Sequence, residues 1–231
     1  MVNDDLIFLV VDVETTGLSP KSSHIIQIAA KSLGSSRTAI FNEYVLPPKK
    51  LTSKIESLTG ITDKFLRNGG IDPLSGNFYT GAAKDFNHVY RKFCEFCVRE
   101  AGDRPMVLIA HNSAFDMRML NSEIKRLATS FRSNGMDTAK APLLTRDTPI
   151  IASIDTLQLF RDKKLWTFRD HPPTSYRQED LYKFVFQKGY DCSHNAVADV
   201  LALEELLLAE DLSKWKQIAD RIVKYIDQFA S

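Results

Sequence analysis

Cysteine is scarce in this sequence, three residues in 231, and the three fall at no spacing of a disulfide framework or a four-ligand zinc site. Cys94 and Cys97 form a CxxC without a second ligand pair. In "HVYRKFCEFCVRE" their spacing beside Val89, Phe93 and Phe96 puts them on a helix face, as core residues. No apolar run reaches the roughly 20 residues of a membrane span. The opening "MVNDDLIFLVVDV" carries two acids where a secretory signal would carry a basic segment, so an intracellular protein of cytoplasm or nucleus is expected. A charge excess is missing too: 30 Lys and Arg against 29 Asp and Glu leave a net charge of +1. Any nucleic-acid partner must then be held by local charge or by metal ions. Repeats and long linkers are absent, and 44% hydrophobic residues make a substantial core, which reads as one domain over 1–231.

What is present alternates in period. "LIFLVV" is a β-branched apolar run, the pattern of a strand covered on both faces. "HIIQIAAKSL" and "IFNEYVLP" read as two further strands, separated by the turn residues "GSSR", giving a three-stranded antiparallel start. "TSKIESLTGIT" offers a helix with a Thr/Ser start and a Gly stop, followed by a Gly-rich loop at 69–81. A long helix carries Phe86, Val89, Phe93 and Cys97. "MVLIA" at 106–110 is a buried strand that passes into a helix with Met117, Leu120, Ile124 and Leu127 at helical spacing. A polar stretch runs from Thr129 to Pro149, then "IIASIDTLQLF" reads as strand and helix. "LYKFVF" and "SHNAVADVLALEELLLAE" read as helices, and "WKQIADRIVKYIDQF" predicts a C-terminal helix over 213–230 with Trp215, Ile218, Ile222 and Tyr225 on one stripe. Strands first, then alternating helix and strand, predict an α/β mixed sheet flanked by helices.

Acids in a buried strand need a reason. In "VDVETTGL" Asp12 and Glu14 are two apart, hence on one face of the strand at its C-terminal end. Their repulsion can be relieved by a shared proton or by a bound cation. Asp116 follows the strand "MVLIA", and Asp199 falls in the first turns of the helix after "SHNA", so both stand at element termini where α/β sites collect. His194 precedes Asp199 by five residues, about 140° around a helix, so it belongs to the lead-in loop. There it suits a general base.

"VDVETTGL", "HNSAFD" and "HNAVAD" resemble, in order, the three motifs of the DEDDh family of 3′ to 5′ exonucleases. The likeness runs from about Leu6 to Leu208. "LTGIT" and "SIDTLQLF" resemble connecting segments of the proofreading epsilon subunit of bacterial polymerase III and of three-prime repair exonucleases. "HIIQIAA" and "YVLPP" resemble a PML-associated exonuclease-like subgroup. The resemblance implies an RNase H-like fold, with three antiparallel strands and then parallel ones. It implies two divalent cations, Mg²⁺ or Mn²⁺, on Asp12, Glu14, Asp116 and Asp199, with His194 as base. Glu14 and Thr15 would meet the terminal 3′-hydroxyl, Leu18 would wedge against the last base, His111, Asn112 and Phe115 would line the nucleotide pocket, and Ile61 would pack on a base. The partner implied is a single-stranded DNA or RNA 3′ end, with nucleoside 5′-monophosphates as product.

One departure concerns the segment after the fifth strand. The proline-rich insertion of three-prime repair exonucleases is missing, with only "HPPT" at 171–174. In its place "RDKKLWTFRDHPPTSYR" interleaves five basic residues with Trp166, Phe168 and Tyr176, a composition that fits either a backbone grip or a solvated loop. Two other readings keep the fold: an interaction module without catalysis, and a proofreading subunit serving a polymerase in trans. DNA or RNA stays open, because no motif reports contact with a 2′-hydroxyl, and oligomeric state is not legible.

Overall fold

The computed structural model describes residues 5–35, 39–72, 75–136 and 142–225. The chain opens with β1 (Ile7–Thr15), β2 (Ile25–Ser32) and β3 (Phe41–Tyr44). Helices α1 (Ser53–Thr59) and α2 (Asp63–Asn68) follow, each capped by a threonine side chain, Thr52 and Thr62, that accepts an amide of the first turn. A hairpin of β4 (Gly69–Ile71) and β5 (Phe78–Thr80) leads to α3 (Phe86–Ala101), β6 (Met106–Ala110) and α4 (Ser113–Ser133). Then come α5 (Leu144–Asp147), β7 (Ile150–Asp155), α6 (Thr156–Phe160), α7 (Gln178–Phe186), α8 (Ala196–Leu208), α9 (Trp215–Ala219) and β8 (Lys224–Tyr225).

Six strands form one sheet in the order β3-β2-β1-β6-β7-β8. β2 pairs antiparallel with β1 and β3, β6 pairs parallel with β1 and β7, and β8 is an antiparallel edge. This is the expected mixed α/β architecture. Strand alternation sorts the core: Phe8 and Val10 of β1 pack with α7 and α8, while Leu9, Val11 and Val13 pack with α3 and α4. By the same alternation Asp12 and Glu14 share the α8 side. Pairing of β1 with β6 stops at Val10, so the acidic end of β1 extends past its parallel neighbour.

Docking of α8 decides where Asp199 sits. Gln27, fully buried on β2, accepts from the Ala196 amide and donates to Asn42 and Asn195, fastening the start of α8 to two strands. Asn195 in turn caps the helix through the Val197 amide. Farther along, Glu204 pairs with Lys31 of β2 and accepts from the Gly34 amide. No helix of the described residues is long and apolar enough to cross a membrane.

Two expectations are corrected. The segment 69–81 is no plain loop: β4 and β5 pair as a hairpin, and Gly69 at φ +76° passes so near the other strand that a Cβ there would lie 2.4 Å from the Tyr79 carbonyl oxygen. The C-terminal helix expected over 213–230 stops at Ala219. Trp215 and Ile218 are buried as the stripe required, but the chain then turns, and Lys224 and Tyr225 pair with Ser153 and Ala152. The open edge of β7 offers backbone partners that continued helix would leave unmet. Residues 226–230 of that expectation, and parts of the "GSSR" turn and the 129–149 stretch, lie outside the described residues.

Removing the buried partner of Lys31 should loosen the helix that carries Asp199. Glu204→Ala is expected to cost about 3–5 kcal/mol, the usual penalty for orphaning one member of a buried ion pair, read by urea unfolding. A cost below about 1 kcal/mol, typical of a surface pair, would contradict this anchoring.

Candidate active site

Where β1 outruns β6, its acids meet α8. Oxygens of Asp12, Glu14 and Asp199 all lie within 4.8 Å of one another. Each of the three is half-buried. Asp116, in the first turn of α4, is buried beside them and accepts the Val13 amide at the unpaired margin of β1, but does not join the tight trio. Burial, followed by the charges of Asp116, Asp199 and Glu14, raises the Asp12 carboxyl far above the ordinary range. Glu14 is pushed up to about 9 by burial and then by Asp199 and Asp116. Burial also lifts Asp116 to about 8, against the hydrogen bonds it accepts. Four such groups cannot all ionise at neutral pH without a compensating positive charge. An all-oxygen, multiply anionic donor set fits a hard divalent cation.

Asp199 is fixed at both oxygens. The Tyr190 hydroxyl donates to Oδ1 at 2.5 Å and the His194 amide donates to Oδ2 at 3.0 Å, while the Gln178 amide group donates to the Asp199 carbonyl at 2.7 Å. Burial raises its carboxyl, and the Tyr190 bond offsets part of that rise. His194 itself lies in the lead-in loop at φ +66°, with Cys192 at +60°. These two left-handed residues turn the loop so that His194 lines the same cavity as Asp12 and Asp199.

That cavity measures about 650 Å³, within the range of about 300–1,000 Å³ usual for small-molecule sites. His111 and Asn112 line it. Nε2 of His111 donates to the Tyr176 carbonyl and Nδ1 meets the Thr156 hydroxyl, and burial lowers its pKa, so the ring is a neutral brace between α6 and the loop before α7. Asn112 adopts φ +67°, held because its amide donates to Asp155. Leu18 stands almost fully exposed on the loop after β1. That loop is tied to α4, since Ser122 and Arg126 both donate to the Pro20 carbonyl and Glu123 holds His24 and the Ile25 amide. Thr15 is buried with its hydroxyl turned to the Gly17 carbonyl, and Phe115 packs half-buried against the α3–α4 side of the core. Ile61 is a correction: it is fully buried among Ile26, Tyr44, Phe65 and Leu66 and has no surface to offer a base.

Sequence reasoning missed Asp155, Gln178 and Tyr190. The aspartate had a signal, since Asp before "TLQLF" is an N-cap, and its carboxylate does accept the Leu157 amide. Gln178 and Tyr190 had none. Only the folding of α7 against α8 brings them to Asp199.

Residues 9–207 match the family RNase_T, described as Exonuclease. Two curated proteins named DNA polymerase III PolC-type are similar: that of Streptococcus sanguinis (strain SK36) is 35% identical over 123 residues, and that of Streptococcus pneumoniae serotype 2 (strain D39 / NCTC 7466) 34% over 120. The matches take in 53% and 52% of this chain but only 7% of each polymerase. In fold it resembles a 3′-exonuclease from a structure of 3′-end-specific recognition of a histone mRNA stem-loop, at TM-score 0.61 and 18% identity over 93% of this chain and 65% of that one. Cell-death related nuclease 4 gives TM-score 0.60 and 15% identity over 96% and 68%. With a family match spanning most of its length, the chain belongs to the RNase_T exonuclease family.

Proposed function

We propose that the protein is a metal-dependent 3′ to 5′ exonuclease that shortens single-stranded DNA or RNA and releases nucleoside 5′-monophosphates. The observation that carries this reading is the convergence of Asp12, Glu14 and Asp199 within 4.8 Å, beside a cavity that His194 lines. With Asp116 these carboxylates would hold two divalent cations, Mg²⁺ or Mn²⁺. Cations held there would supply Lewis-acid stabilisation of the charge that develops on the phosphodiester oxygens. His194 accepts the proton of the attacking water. The new bond joins the water oxygen to phosphorus, the bond from phosphorus to the 3′-oxygen of the preceding nucleotide breaks, and that oxygen takes a proton from solvent. Asp199 keeps its orientation through Tyr190 and the His194 amide.

End recognition falls to the rim. Glu14 and the Thr15 backbone are suited to the terminal 3′-hydroxyl, the exposed Leu18 to the last base, and His111, Asn112 and Phe115 to the pocket wall. Contacts to base faces and backbone are sequence-tolerant. The protein acts inside the cell, in cytoplasm or nucleus. A second reading, service to a polymerase in trans, is favoured by the names of the polymerase relatives.

A 5′-labelled single strand should yield a descending ladder, and a circular single strand should stay intact. Asp12→Ala or Asp199→Asn should abolish cleavage, and His194→Ala should lose about 10² to 10⁴ in rate. Cutting of the circle, or full activity of any of these variants, would defeat the reading.

The raised carboxyls also predict a linkage. Glu14 titrates from 4.5 in its ordinary state to about 9 in the fold. Without metal the folded state therefore binds more protons than the unfolded one across that interval, so its contribution to stability is full below about pH 4.5 and is lost as pH rises toward 9. Cations replace those protons. Mn²⁺ should thus raise the melting temperature over that in EDTA more at about pH 8 than at about pH 5; an equal or reversed shift would contradict the assignment.

A further inference from the structure

The segment 161–177 carries five basic side chains, and the fold separates them. Arg169 is structural: it donates to the Val185 carbonyl at 3.1 Å and lies over the rings of Phe168 and Phe184. Trp166 is buried and donates to the Phe160 carbonyl, so the aromatic part of the segment packs inward. Lys163 and Lys164 sit in a 3-10 turn and do not line the cavity. Arg161 and Arg177 do line it, together with Asp12, His194 and Asp199. Both arginines are exposed, and neither guanidinium makes an ion pair or side-chain hydrogen bond among the described residues.

The cavity is therefore two-signed. Asp12, Asp199 and Glu179 bring negative charge to its lining and Arg161 and Arg177 positive charge, and Arg161 lies close enough to His111 to add to the lowering of its pKa that burial causes. A nucleotide chain repeats its negative charge at every residue. When its scissile phosphate is at the carboxylates, the neighbouring phosphate needs a positive group of the protein's own. Guanidinium is suited to that task, being permanently charged and able to donate two parallel hydrogen bonds to phosphate oxygens.

We propose that Arg161 and Arg177 form a second, anion-binding subsite in this cavity, which takes the backbone phosphate next to the one being cleaved. The subsite reads charge and spacing, not base identity. It makes the enzyme favour oligonucleotides over substrates with a single phosphate. This inference rests on the exonuclease reading above, and its test separates the two.

The full chain would be assayed on a single-stranded oligonucleotide and on the nitrophenyl ester of thymidine 5′-monophosphate, which has one phosphodiester only. Arg161→Ala/Arg177→Ala should raise KM for the oligonucleotide about 10-fold and flatten the slope of log KM against log salt by about 0.7, the contribution of one neutralised phosphate on a single strand. KM for the ester should move less than about 2-fold. Lys163→Ala/Lys164→Ala removes the same charge from the same segment and should leave the oligonucleotide KM near wild type. An unchanged oligonucleotide KM and salt slope in the arginine variant would overturn the subsite. So would an equal change in the lysine variant, which would mean a diffuse basic surface, or an equal loss on the ester. If the wild type cleaves neither substrate, the exonuclease reading fails; fluorescence anisotropy of a labelled oligonucleotide in EDTA then still decides the subsite, since equal binding by wild type and arginine variant refutes it.

Discussion

Like charges drawn into one half-buried place constrain everything else in this molecule. Asp12 and Glu14 are fixed on one face by the pleat of β1, and α8 brings Asp199 over them within 4.8 Å. Burial denies these groups the water that would screen them, and their own charges add to the effect. The arrangement is stable when protons or cations balance it. Protons suffice in acid, and at neutral pH hard cations are the suitable counterpart.

Much of the surrounding structure can be understood as the means of holding that repulsion in place. Gln27 and Asn195 fasten the start of α8 to β2 and β3, and the Lys31–Glu204 pair fastens its later turns. Asp155 holds Asn112 in the left-handed conformation that starts α4, and α4 delivers Asp116 to the Val13 amide. On the opposite rim Glu123, Ser122 and Arg126 of α4 grip the loop that exposes Leu18. The acids, His194 and the rim thus sit on separate elements joined by polar contacts. Such networks keep a site rigid when every member is satisfied.

Legibility in the sequence followed the range of the interactions involved. The apolar run of β1, the helical spacing in α3 and α4 and the Thr and Gly punctuation of α1 are local signals, and those elements are present. Asp12 and Glu14 stood out because an acid pair in an apolar strand has no local reason. Tyr190 and Gln178 could not stand out, because their contacts with Asp199 exist only once α7 and α8 pack together. The C-terminal stripe was misread for a similar reason: Trp215 and Ile218 obey helical spacing, yet the free edge of β7 recruits Lys224 and Tyr225. Ile61 sits in a segment resembling a connecting segment of the family, from which packing on a base was expected, while its actual neighbours are the buried faces of β2, β3 and α2.

Whether cations relieve the carboxylate repulsion can be read from anomalous diffraction of crystals grown with Mn²⁺. Manganese peaks bounded by Asp12, Glu14 and Asp199 are expected, and they should be lost when Asp12 is replaced by Ala. Well-ordered carboxylates with no manganese between them, or manganese bound only elsewhere, would contradict that relief.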